Sequence, residues 1–257
     1  MSTNKAVEAL INEGHNWFIP SLSVDCVIFG FHDNKLKILL VKHRHRDLWS
    51  LPGGFIFKEE SADEAAQRVL RERTSLNEIF LQQFNVFGDV NRYDKNFHKE
   101  DLVSDGIKAN DDLWILQRFL SIGYYALVEF SKVNLLTDAL TEECMWWDVN
   151  TLPAMMLDHG KIIETALLTL RAQLNYQPIG YNLLSEKFTM PELQKLYETI
   201  LNKNLDRRNF QRKIEGYKIL KRLPERKKGV AHKAPFFYTF DAKKYQRALE
   251  NGLSGGW

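Results

Sequence analysis

One stretch limits what this chain can fold into more than any other. Gly53 and Gly54 sit in Leu48-Trp-Ser-Leu-Pro-Gly-Gly-Phe55, and Glu60 follows Gly54 after five residues. Seven residues later begins Arg68-Val-Leu-Arg-Glu72-Arg73-Thr-Ser-Leu76. Paired glycines permit backbone angles that residues with a Cβ avoid. Ser61-Ala-Asp-Glu64 has the form of a capping box, in which the Ser side chain and the Glu three residues on satisfy the free amides of a first turn. A helix therefore starts at once. On it, positions 69, 72 and 73 are three and four apart and share one face, while Ala65, Ala66, Val69 and Leu70 form an apolar packing face. Upstream, Ser23–Phe31 and Leu36–Val41 are β-rich runs around Asp33-Asn34, the signature of a hairpin. Further strands are expected at Ile79–Phe87, Leu120–Phe130 and Met145–Val149.

This order resembles a Nudix box: Gly, five residues, Glu, seven residues, then Arg-Glu-apolar-x-Glu-Glu-x-Gly-apolar. The resemblance implies a Nudix α/β/α sandwich over residues 18–176, preceded by an N-terminal extension at 1–17. In Nudix hydrolases, carboxylates on one helical face hold divalent cations against a diphosphate. Here the first of those positions is Val69, the last is Arg73, and the late Gly is Ser75; Glu72 alone remains of the three carboxylates. Mg²⁺ needs hard oxygen ligands, and a guanidinium at position 73 repels it. Neither catalytic residues nor a metal site are expected, nor any cofactor, with Mg²⁺ implied only under the rival reading of an active hydrolase. That rival would assemble a shifted site from Glu59, Glu60 and Glu72 and cleave a nucleoside diphosphate derivative such as ADP-ribose.

At 257 residues, 44% hydrophobic and 12% aromatic, the chain can bury one large core or two modest ones. Two cysteines, Cys26 and Cys144, make neither a disulfide framework nor a metal site and read as buried thiols. No apolar run approaches the roughly 20 residues of a membrane span, and the N-terminus lacks a signal-peptide layout. A cytoplasmic location without membrane contact is the expectation.

Net charge of +2 hides an asymmetry. From Gln177 onward there are 17 Lys and Arg against 8 Asp and Glu, while Met1 to Tyr176 holds 18 basic and 25 acidic residues. A basic end on an acidic body suggests a polyanion partner for that end. A helix over about Leu157–Asn175 should close the first domain, and Gln177-Pro-Ile-Gly-Tyr-Asn182 has the Pro and Gly of a connector. Thr189-Met-Pro-Glu192 is a second capping box, opening a helix to about Leu201. Asn202–Leu205 forms a short turn, Asp206 caps the next helix, and Gly216 is placed to end it. On that helix Phe210 and Ile214 face inward and Arg208 and Arg212 outward, with Asn209 and Gln211 beside them. This is a helix-turn-helix whose second helix suits a major groove, Arg for guanine and Asn or Gln for adenine. Tyr217–Leu223 and Pro235–Asp241 read as strands around a basic tip, as in a winged helix.

Together the two halves resemble the bacterial Nudix-related transcriptional regulators, which implies a degenerate Nudix effector sensor plus a winged helix-turn-helix domain at 177–257. It also implies double-stranded operator DNA as partner, a homodimer, and a small effector: ADP-ribose, or a pentose such as arabinose or xylose. The residues expected at DNA are Arg207, Arg208, Asn209, Gln211, Arg212, Lys213, Arg226, Lys227, Lys228 and Lys233. Those expected around the effector are His43, Arg44, His45, Arg46, Asp47 and Trp49, with Glu72 and Arg73. A second rival is a general RNA-binding adaptor, against which the ordered helix-turn-helix counts. Residues 91–117 read as a polar insertion in the Nudix domain, and Lys5–Asn12 as a short helix without assigned role.

Overall fold

A computed structural model describes residues 3–44, 46–76, 80–92, 95–104, 106–108, 110–137, 141–227 and 234–253. The chain divides into two compact units. The first takes residues 1–29, 38–126 and 132–166; the second takes 30–37, 127–131 and 167–257.

The first begins with α1 (Thr3–Trp17), longer than the short helix expected there. Strands β1 (Phe18–His32) and β2 (Lys35–His43) follow as the expected hairpin, with Asp33 and Asn34 both at positive φ (49° and 59°). Asn and Asp tolerate that conformation better than most residues. Next come β3 (Trp49–Ser50), β4 (Gly53–Phe57), α2 (Ala62–Thr74), β5 (Phe80–Phe87) and α3 (Lys95–Ser104). Strands β6 (Leu120–Val128) and β7 (Thr141–Asp148) complete a seven-stranded sheet, and α4 (His159–Gln173) runs on across the division at 166/167. The sheet order is β3-β2-β1-β6-β5, with β4 pairing β1 and β7 pairing β2. Helix α2 lays Ala65, Ala66, Val69 and Leu70 into the core and hangs on both halves of the expected capping box: Ser61 Oγ accepts from the Glu64 amide at 3.2 Å, and Glu64 Oε2 accepts from the Ser61 amide at 2.8 Å. Cys26 is buried as expected; Cys144 is only half-buried.

The insertion differs from the expectation of a polar tract. Leu102 and Leu116 from it join Val7 and Ile11 of α1 in one apolar cluster, with Ile107, Leu113 and Ile115 packed against it. Trp114 fastens the joint: its indole Nε1 donates to the main-chain oxygens of Leu10 (3.2 Å) and Ile11 (3.1 Å). A Cβ at Gly14 would collide with that indole, so Gly14 lets the ring lie against the helix. Extension and insertion thus form one body. Polar composition concealed this because the apolar partners lie about a hundred residues apart in sequence.

The second unit carries β8 (Phe188–Thr189), α5 (Met190–Leu201), α6 (Arg207–Gly216), β9 (Leu220–Arg226), β10 (Phe236–Phe240) and α7 (Ala242–Asn251). Its sheet runs β8-β10-β9, antiparallel throughout. The first wing strand starts later than expected, at Leu220, and β8 and α7 were not foreseen from the sequence. α6 ends at Gly216, as expected, though the left-handed residue beyond it is Lys218 (φ 56°) and not the glycine. The connector reading of 177–182 is also corrected. Pro178, Ile179 and Gly180 are buried, Tyr245 of α7 donates its hydroxyl to the Pro178 oxygen at 2.7 Å, and the Ile179 amide donates to Tyr197 at 3.3 Å. Gly180 has φ 137°, and a Cβ there would stand 3.2 Å from Leu193 and 3.3 Å from Phe240. The segment is a core strap of the second unit.

Candidate functional site

In the Nudix-like box, the Arg and Glu that survive spend themselves on each other. Arg68 donates through Nε (3.1 Å) and Nη2 (2.6 Å) to the two oxygens of Glu60, and through Nη2 to the Phe55 oxygen at 2.8 Å. Its guanidinium lies 4.6 Å from the centre of the Phe57 ring. Burial alone pushes the Glu60 carboxyl upward. The hydrogen bonds from Arg68 and the Phe57 amide, with the Arg68 charge, outweigh that and hold it below its ordinary 4.5. Glu72, about half exposed, sits 3.7 Å from Arg68.

These residues do not fit a divalent cation. Val69, in the first carboxylate position, is 2% exposed. Its Cγ2 lies 2.9 Å from where a Cβ on Gly54 would be, so an apolar contact closes the space. Arg73, in the last position, is 5% exposed and brings a buried positive charge. Glu60, needed by the shifted-site rival, is held by Arg68. Among the described residues no three His, Cys, Asp or Glu side chains gather as a metal site.

The expected effector residues fall in two places, the β2–β3 corner and α2. At the sheet edge, His43 pairs with Ser50 Oγ (2.9 Å), Arg44 is half-buried, Arg46 reaches Glu100 of α3 (3.1 Å), and Asp47 lies 3.5 Å from Lys42. Trp49 is in the core, edge-on to Trp147 at 5.2 Å, which leaves no open face for a sugar. Glu72 and Arg73 are on α2, which packs against β4 and β5. His45 lies outside the described residues.

A buried polar network was not foreseen from the sequence. Arg92 donates to both oxygens of Asp158 (3.0–3.2 Å) and through Nη1 to the Phe119 oxygen (2.9 Å). Its Nη2 stands 3.7 Å from Asp25 Oδ2, which accepts from Ser121 Oγ at 2.5 Å. His159 Nδ1 accepts the Leu51 amide at 2.9 Å, so the ring proton resides on Nε2, 3.9 Å from Asp25 Oδ1. This network reaches the Leu51 amide just before Pro52-Gly53-Gly54 and ties Arg92, at the start of the insertion, and Phe119, just after it, to β1, β6 and the start of α4. The available signal was a lone acid, Asp25, in an apolar strand run. A buried charge requires a partner, yet nothing in the sequence identifies Arg92, 67 residues away, as that partner.

In the second unit, Thr189 caps α5 through the expected box with Glu192, and Asp206 Oδ1 accepts the Asn209 amide (2.9 Å) to cap α6. The turn between them is pinned: Asn202 takes the left-handed conformation (φ 52°), Glu198 Oε1 accepts the Leu205 amide (3.0 Å), and Gln194 donates to the Leu205 oxygen (2.8 Å). Phe210 and Ile214 are buried, with Phe210 edge-on to Tyr197 at 5.4 Å. Arg207, Arg208, Asn209 and Arg212 are exposed on α6; Gln211 and Lys213 are half-buried. Arg212 donates to Asn209 Oδ1 (3.0 Å), and Gln211 to Glu215 (2.9 Å). Burial, then the nearby charge of Lys203, lowers the Lys213 pKa. At the wing base, Arg226 lies 3.8 Å above the Phe236 ring and donates to the Ala234 oxygen, while Lys227 pairs with Glu192 at 2.6 Å. Lys228 and Lys233 lie outside the described residues.

A mixed α/β Nudix-type domain whose box keeps one of three carboxylates, followed by a winged helix, is an architecture of the regulator type. The NUDIX domain family model matches residues 20–166, so the chain belongs to that family, and the model described as the NrtR DNA-binding winged helix domain matches residues 180–240. The chain is homologous to the NrtR transcriptional repressors. It is 25% identical over 239 residues to the ADPR responsive transcriptional repressor NtrR of Acinetobacter baylyi, covering 90% of this chain and 84% of that one. Solved structures of Shewanella oneidensis NrtR, alone and with a 27mer DNA, both align with TM-score 0.71 over 92% of this chain. They are 25% and 24% identical, and 100% and 99% of those chains are covered. The ADP-ribose pyrophosphatase of Methanocaldococcus jannaschii is 26% identical over 154 residues, 56% of this chain and 72% of that one.

Proposed function

We propose that this protein is a DNA-binding transcriptional repressor whose Nudix-like domain takes ADP-ribose as effector without needing to cleave it. The observation that carries the reading is α6. A pinned turn presents it with Phe210 and Ile214 inward and Arg207, Arg208, Asn209 and Arg212 outward, within a domain of the NrtR DNA-binding type. ADP-ribose is favoured over a pentose because the Acinetobacter relative, similar along most of both chains, is named for its response to ADPR; the relatives give a pentose no support. Effector contacts are assigned to the exposed or half-buried groups His43, Arg44, Arg46, Asp47 and Glu72. Homodimerisation, which would set two recognition helices on half-sites about one DNA turn apart, is part of the proposal, as is the absence of any cofactor.

An effector switches such a protein only by binding its DNA-competent and incompetent states unequally. The test is selection of a bound sequence from a random duplex pool, followed by titration of ADP-ribose, arabinose or xylose into the complex. Release by ADP-ribose alone is expected. Equal affinity for selected and scrambled duplexes removes the regulator reading, and release by a pentose removes the effector assignment. In parallel, incubation with ADP-ribose and Mg²⁺ should give no brisk formation of AMP; rapid turnover abolished in Glu72→Gln would restore the hydrolase.

A further inference from the structure

From the geometry at the wing base we infer that Lys227 and Glu192 form a latch that orients the wing, so that Lys227 is a positioning residue and not a phosphate contact. The inference rests on the DNA-binding reading above and refines it. Glu192 is doubly employed. Its Oε2 accepts the Thr189 amide (2.7 Å) and hydroxyl (2.9 Å), closing the capping box of α5, while its Oε1 accepts Lys227 Nζ at 2.6 Å. Burial raises the Glu192 carboxyl, but Lys227 and Thr189 together hold it below 4.5, so the carboxylate is ionised near neutral pH.

The partners of these two residues explain what the latch holds. Thr189 is at once the cap of α5 and the β8 residue paired with Phe237 of β10. Lys227 follows β9 directly, and its amide donates to the Pro235 oxygen at 3.0 Å, closing the base of the hairpin. One carboxylate therefore joins the first helix of the helix-turn-helix to both long strands of the wing. The other cation at this level, Arg226, is exposed but likewise engaged within the wing, over Phe236 and onto the Ala234 oxygen. Of the basic wing tract Arg226-Lys-Lys228 with Lys233, the two described members build the wing, and phosphate contact falls to α6 and to the tip.

Counterion release separates the two roles. Removing one phosphate-binding cation lowers the slope of log affinity against log salt by about 0.9, whereas removing a positioning residue changes affinity and leaves the slope alone. The measurement is fluorescence anisotropy of the full-length protein on a labelled mixed-sequence 30-base-pair duplex across a salt series. Wild type, Lys227→Met, Lys227→Arg, Glu192→Gln and the Lys227→Met/Glu192→Gln double variant are compared, with Arg208→Ala as the phosphate-or-base contact control. Expected are a loss of about two- to fivefold in each of Lys227→Met and Glu192→Gln, from an exposed ion pair. The double variant should lose no more than either, Lys227→Arg should retain wild-type affinity, and the slopes should be unchanged. A slope reduced by about 0.9 per protomer in Lys227→Met, with Glu192→Gln neutral or tighter, overturns the latch while leaving DNA binding intact. A wild-type protein without measurable, salt-sensitive affinity for any duplex overturns the DNA-binding reading and the latch with it.

Discussion

Single residues here record what the box became. Ser75 stands where a Nudix box has its late glycine and still takes the left-handed conformation that glycine suits (φ 60°), as the cap that ends α2. A side chain in that region costs about 1–2 kcal/mol, offset in part by the greater freedom glycine has in the unfolded chain. Ser75→Gly is expected to raise the unfolding free energy by about 0.5–1 kcal/mol, read from denaturant midpoints at constant m. The Glu60 carboxyl has the opposite sensitivity. Its folded pKa is depressed, so its contribution is complete above 4.5 and is lost as the pH falls through the lower folded value. Glu60→Gln should flatten the acid limb of the stability curve and leave the neutral limb parallel. Arg92 holds the largest stake: removing one partner from a buried ion pair costs about 3–5 kcal/mol. Arg92→Met is therefore expected to lower stability by that order in thermal unfolding; a change below about 1 kcal/mol would mean the network is not holding the loop before Gly53.

Elements show why some of this was legible from the sequence. The two capping boxes, the Asp33-Asn34 turn and the Phe210/Ile214 spacing on α6 are local patterns, and local chemistry decides them: a hydroxyl and a carboxylate three residues apart find the same free amides wherever the helix lies. What failed depended on distant partners. Gln177–Asn182 has the composition of a linker, yet Tyr197 and Tyr245 satisfy its backbone polar groups, and only the folded core reveals that. Gly216 does end α6, but which residue takes the left-handed angle beyond it, Lys218, is not marked by composition. Trp49 has the look of a sugar platform because an aromatic beside charged residues often is one; Trp147, the partner that buries it, comes almost a hundred positions later. At this scale the test is the inward face of α6. Phe210→Ala should cost about 3–5 kcal/mol in unfolding free energy and abolish duplex binding, whereas Arg208→Ala should spare stability and weaken sequence preference.

For the whole molecule, charge is the most informative quantity. In the DNA-binding reading proposed above, the excess of 17 cations over 8 anions beyond Tyr176 would make phosphate attraction the main source of affinity. If the proposed dimer makes about six to ten phosphate contacts, binding should fall by about 10³–10⁵ between 50 and 200 mM salt. If the inferred latch holds, Arg226 and Lys227 are engaged within the wing and that count rests chiefly on α6. The front of the chain has its own dependency. Because Trp114 grips the main chain of α1 and not its side chains, the outer face of that helix is open to substitution while the helix itself is indispensable. A shortened version starting at the first strand would bare Leu102 and Leu116 to water and is expected to aggregate, so work on the isolated front domain should retain everything from Thr3 onward.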